Sequence, residues 1–172
     1  MTIHPTCKII NLDQTPEKFH GTADTIVLPF LEALLQIIPL EEEFSLRYQA
    51  LDEEKITLGI PKSESHPQAS DLWTEIKQRY TAILQPICTN RIVFFRGTRY
   101  PSRYQWVING VEEISFIMKS KNKATLAIRY PNYGSLKHYQ YIFKLIDDAW
   151  KIADIKEANG RSPDKYHTFT AM

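Results

Sequence analysis

The chain has 172 residues, 43% of them hydrophobic, enough for one ordinary core and too few for two. Its 21 Lys and Arg stand against 20 Asp and Glu, so no net field recommends nucleic acid or an anionic membrane as a general partner. Cys7 and Cys88 lie far apart, with no histidine pair at ligand spacing, and suggest neither a disulfide framework nor a zinc site; no metal and no cofactor is expected.

The opening "MTIHPTCKIINLDQ" lacks the basic start and apolar core of an export signal, and no apolar run is read as approaching the ~20 residues of a membrane span. A cytoplasmic location is the resulting expectation. An apolar helix is predicted over Asp24 to Ile38, where Pro29 begins or kinks the regular part and Pro39 ends it, because proline lacks the donor that an interior turn requires. A more polar helix is predicted over Glu41 to Asp52, its acidic first turn suited to the positive helix end. "LGIPKSESHPQ", from Leu58 to Gln68, reads as loop. The clearest helix is "ASDLWTEIKQRYTAILQ", in which Ala69, Leu72, Trp73, Ile76, Tyr80, Ile83 and Leu84 share one stripe and Pro86 closes the run.

Strands follow at Ile92 to Phe95, Tyr104 to Ile108, Glu113 to Met118 and Ala124 to Tyr130, then in "HYQYIFKLIDDAWKIADIK", residues 138–156. In that last segment Tyr139, Tyr141, Phe143 and Leu145 take one face, His138, Gln140, Ile142 and Lys144 the other, and Asp147-Asp148 forms the turn of a hairpin. The even-numbered faces Tyr104, Trp106, Ile108, then Ile114, Phe116, Met118, then Ala124, Leu126, Ile128, Tyr130 complete an apolar sheet surface for the helices to cover. Helices first and strands second predict an α+β fold: one domain over 1–172, with a core at about 20–157 and a loosely attached tail at 158–172.

Groups able to carry proton chemistry are sparse and dispersed. Asp24 reads as a helix-start residue, His138 as a surface histidine on the strand face away from the aromatic one, and Asp154 as a strand-end residue on the side of Trp150 and Ile152. His20, His66 and His167 fall in loop or tail sequence. The run "RIVFFRGTRYPSRY" mixes Arg91, Arg96, Arg99 and Arg103 with aromatics, as a nucleic-acid grip would, but without a basic excess its Arg and Tyr side chains suit a protein interface better.

Helices followed by an antiparallel sheet whose last hairpin ends in a "W-K-I" strand resemble the nuclear transport factor two-like fold, a cone in which N-terminal helices pack on a curved antiparallel sheet. More specifically, "RGTRYPSRYQW", "EEISFIMKSKNKATLAIRY" and "HYQYIFKLIDDAWKIADIK" are similar, over about the last 65 residues, to the immunity proteins of that fold that accompany bacterial polymorphic toxins. Asp148-Ala149 stands where that group has a turn glycine, and the loop has one proline. The resemblance implies an immunity protein, not an enzyme, that blocks a cognate toxin domain by stoichiometric binding. Its contacts would come from Glu41, Glu42 and Glu43 on the acidic helix and from Arg99, Tyr100 and Arg103 in the loop. It also implies a cone interior walled by Trp73, Tyr80, Trp106, Tyr139, Tyr141 and Phe143. The alternative it leaves is a small-molecule binder or an isomerase- or lyase-like enzyme that uses the cone pocket, and pairing of sheet faces leaves a homodimer open.

Overall fold

The computed structural model describes residues 7–89, 106–107, 110–132, 135–159 and 167–168. The architecture is α+β: two helices, α1 (Ala23–Thr57) and α2 (Ala69–Leu84), lie with a mixed six-stranded sheet. Its strands are β1 (Cys7–Asn11), β2 (Val111–Ser120), β3 (Lys123–Asn132), β4 (Ser135–Ile146), β5 (Ala149–Asn159) and β6 (His167–Thr168), and they neighbour one another in that order.

The antiparallel ladder from β2 to β5 follows the period-two pattern of its residues. Ile114 faces Ile128 across β2 and β3, Leu126 faces Tyr141 across β3 and β4, and Phe143 faces Ile152 across β4 and β5. All six are buried, so the alternation marks one continuous inner face. Asp147 and Asp148 adopt φ of 48° and 59° and form the turn between β4 and β5. Two consecutive left-handed residues are what a two-residue hairpin needs, and Asp tolerates that region better than most side chains, which is how the hairpin closes without a glycine.

Four expectations are corrected. First, the two helices read on either side of Pro39 are one helix, with Pro29 and Pro39 inside it. The buried stripe Phe30, Leu34, Ile37, Leu40, Phe44 runs through Pro39 without a change of phase, and tertiary burial of that stripe outweighs the missing hydrogen bond. At 35 residues, α1 is roughly 52 Å long. Second, Trp106 and Val107 are helical, not part of a strand; both are buried. The predicted strand Ile92 to Phe95 lies outside the described residues.

Third, the N-terminal "CKIIN" is a strand, paired in parallel with β2 through Cys7–Val111, Ile9–Glu113 and Ile10–Ile114. A parallel pair requires a long crossover, here supplied by both helices. Where β1 ends, the edge of β2 is taken over by a side chain: Thr15 Oγ1 donates to Phe116 O at 2.7 Å and accepts from Met118 N at 3.0 Å. Fourth, the segment Glu17–Thr57 is long and apolar enough to cross a membrane by length and composition alone, contrary to the sequence reading; half of its apolar window is buried in this fold, as in a core helix.

At the opposite edge, residues 87–89 run beside β5, with Ile152 N donating to Ile87 O at 2.7 Å and Thr89 N to Ile152 O at 3.0 Å. The other end of β5 pairs with β6, through Lys156–Thr168 and Glu157–His167, so four residues of the expected tail, Ala158, Asn159, His167 and Thr168, belong to the sheet.

Pro39 offers a direct check on the single-helix description. Its ring is exposed, and its nitrogen cannot donate to Leu35 O. Pro39→Ala restores that bond and removes a penalty of ~3 kcal/mol, offset by ~1 kcal/mol of added freedom in the unfolded chain. The expected result is a gain of about 1–2 kcal/mol in urea denaturation; a loss would mean that the helix needs the bend the proline imposes.

Candidate functional site

The sheet presents two chemically distinct faces. On the inner one, Phe30 of α1 drops among aromatic rings: its centroid lies 4.6 Å from Tyr141 and 5.6 Å from Phe143 of β4, and 6.4 Å from Trp106. Trp106 and Tyr141 stand 6.2 Å apart. Tyr80 adds to this core from α2, while Trp73 lies further out against Phe44 at 4.6 Å and Tyr48 at 6.1 Å. Of the six side chains expected to wall a cone, Tyr80, Trp106, Tyr139, Tyr141 and Phe143 are therefore buried core members and Trp73 is partly buried beside them. The Trp106 Nε1 proton donor is buried and has no hydrogen-bond partner among the described residues.

The outer face is read by following the register across the strands. One row runs Ile9, Glu113, Arg129, His138, Ala158, in which Arg129 and His138 are direct cross-strand partners and Glu113 stands one step beyond the Ile114–Ile128 pair. The next row runs Asn11, Ser115, Ala127, Gln140, Lys156. Of these, Asn11, Glu113, Ser115, Ala127, Arg129, His138 and Gln140 line, with flanking residues, an open groove of about 1100 Å³ that reaches from β1 to β4. Asp13 N donates to Asn11 Oδ1 at 2.8 Å, and Asn11 Nδ2 in turn donates to Glu113 Oε1 at 3.1 Å, which Ser115 Oγ also approaches at 3.5 Å. Lys8 is neutralised by Glu112 at 2.7 Å.

His138 is corrected from a surface residue to a buried one, only 9% exposed. It sits on the expected face, but β4 is an interior strand, and Arg129 and Ala158 flank it on both sides. Asp154 is corrected too. The register slips between Ile142 and Phe143, so that Ala153 is an extra residue; Asp154 then faces Ile142, on the outer side, away from Trp150 and Ile152. Asp24 is exposed in the first turn of α1, so the three groups considered for proton transfer share no site.

The acidic run lies in the middle of α1 and not at a helix start. Glu43 is bound to Arg79 of α2 at 2.7 Å and to Arg47 at 3.1 Å, while Glu75 takes Arg47 at 2.7 Å. The Arg79 hydrogen bond holds the Glu43 carboxyl below its ordinary range, and Arg47 does the same for Glu75. These charges fasten α2 to α1. Glu42 is exposed and Glu41 half-buried. Arg99, Tyr100 and Arg103 lie outside the described residues.

Among the described residues no three His, Cys, Asp or Glu side chains converge as metal ligands. Burial pushes the Cys88 thiol up to about 12, far from a reactive thiolate, and raises that of Cys7. Compared with protein-family models, with curated proteins and with solved structures, the chain matches none. Apart from His138, no groove residue carries a local sequence signal of a site. The alternation of β2 to β4 does place them on the outer face; what it lacks is β1, without which Asn11 and Lys8 are not recognised as neighbours.

Proposed function

We propose that the chain acts by binding a protein, in the immunity role that its sequence resemblance implies: a nuclear transport factor two-like inhibitor that blocks a toxin domain stoichiometrically. The observation that supports this reading best is the contrast between the two sheet faces. Phe30 and its neighbours fill the side on which an enzyme of that fold would hold substrate, and the candidate acids and bases are scattered, whereas the outer face stays open and polar. A binder needs an accessible, charged surface and no poised proton donor.

The test is to mix the purified chain with the toxin domain encoded by a neighbouring reading frame. A 1:1 complex and loss of toxin activity are expected. Glu42→Lys, on an exposed face of α1, is expected to slow association with a basic toxin and to flatten its salt dependence, while Tyr100→Ala speeds dissociation. Glu43→Lys is a poor probe, because it also breaks the Arg47 and Arg79 contacts. No complex with the unmodified protein would sink the proposal.

A second reading, a small molecule held on the aromatic side, has one observation in its favour: Trp106 Nε1, beside Tyr141, has no hydrogen-bond partner among the described residues. A ligand acceptor there would satisfy that buried donor.

A further inference from the structure

We infer that the connection between α1 and α2 is an acid-sensitive latch: neutral His66 pins the start of α2, and protonation hands its ring to Glu54 of α1 and frees that start. The residue is 7% exposed, in the loop between the two helices. Its Nδ1 accepts the backbone N–H of Gln68 at 3.1 Å, the same two-residue bond with which an Asn or Asp side chain closes a turn. Gln68 is the N-cap of α2 and its own side chain makes no capping bond, so the imidazole satisfies an amide at a helix start, where donors lack partners within the helix. That bond fixes the tautomer: with Nδ1 an acceptor, the proton of the neutral ring sits on Nε2. Nε2 is buried, has no hydrogen-bond partner among the described residues, and stands 3.5 Å from Glu54 Oε2.

A second proton cannot be added without breaking this arrangement. It must go on Nδ1, where it points at the Gln68 N–H, donor against donor. The charge it brings is repelled by the positive end of α2, with Asp71 of the first turn as a partial offset, and attracted by Glu54. Among the described residues no other carboxylate pairs with the ring. Of the remaining charged groups at this corner, Lys55 of α1 donates to Glu64 O, and Lys62, Glu64 and Asp71 are exposed. The Glu54 side chain is 54% exposed, so it can follow the ring outward, where water shares the charge. Charging therefore favours the Glu54 contact over the Gln68 one, and the ring leaves α2 for α1. Neither state depends on what the chain binds.

The experiment is NMR on the full chain between about pH 8 and about pH 5, following the His66 ring signals together with amide protection corrected for the intrinsic pH dependence of exchange. The Gln68 amide is expected to lose about tenfold or more of its protection with the same midpoint as the ring, while Ile76, further along α2, keeps its own. His66→Asn is expected to abolish the response, because the Asn carbonyl accepts the Gln68 N–H across the whole range. Glu54→Gln, at an exposed position, is expected to leave the neutral latch intact and to move both midpoints to lower pH, since the charged ring loses the carboxylate that receives it. That variant carries the test if the Asn variant does not fold. A ring that titrates while Gln68 stays protected, a Gln68 transition that survives in His66→Asn, midpoints that Glu54→Gln leaves in place, or a ring that stays neutral throughout would each overturn the latch.

Discussion

Phe30→Ala is expected to lower the stability of the folded chain by about 3–5 kcal/mol, the loss that follows removal of a buried aromatic ring without collapse of the surrounding structure. Phe30 is 1% exposed, and its ring meets Trp106, Tyr141 and Phe143 together. Truncation therefore removes contacts on three sides and leaves a cavity walled by rigid rings that cannot easily move inward. Urea denaturation with an unchanged slope and a lower midpoint is the expected signature. A loss under about 1 kcal/mol would show that the site collapses, and that α1 is not seated on the aromatic face as described. The same variant bears on function. If an apolar small molecule restores much of the lost stability, the aromatic side can accept ligands, and the second reading gains weight.

The parts of the fold legible in the sequence were those set by short-range patterning. Phe143, Tyr141 and Tyr139 alternate strictly, and they are buried on the side that alternation assigns to them. The same holds for Ile114, Phe116 and Met118. Asp147-Asp148 could be read as a turn because both residues accept left-handed backbone. What escaped were features decided by partners distant in sequence. The break expected at Pro39 assumed that a local penalty ends a helix, yet the three- and four-residue spacing of Leu34, Ile37, Leu40 and Phe44 continues across it, a signal that was present and outweighed. "CKIIN" carries too few residues to announce a strand by itself; it becomes one because β2 offers an edge more than 100 residues away. The bulge at Ala153 has no local marker, and it alone reverses the side on which Asp154 lies. For the site, Glu43 looked like surface charge because Arg79, which binds it, is 36 residues distant.

Thr15→Val is expected to cost about 2–4 kcal/mol, an effect out of proportion to a change of one oxygen atom. The side chain is 5% exposed, and Val matches its shape, so packing is preserved while the hydroxyl is lost. That hydroxyl serves both Phe116 O and Met118 N on the edge of β2, just past the point where Asn11 pairs with Ser115 and β1 stops. Valine leaves a buried carbonyl and a buried amide without partners, each at ~1–3 kcal/mol. The backbone of Thr15 is itself fixed, its N–H donating to Leu12 O at 2.8 Å and its carbonyl bonded by His20 Nε2 at 2.7 Å, so the loop cannot readily move aside to admit water. Thr15→Ser is the control: it keeps the oxygen and loses a methyl group, for a cost of ~1 kcal/mol. Chemical denaturation of the two variants separates the contributions, and amide exchange at Met118 localises them, since that proton should be protected in the Ser variant and exposed in the Val variant. A loss in the Ser variant with none in the Val variant would show that the methyl, and not the hydroxyl, holds β1 and its following turn against the sheet. In that case the β1 end of the outer groove, where Asn11 and Lys8 sit, would depend on apolar packing alone for its position.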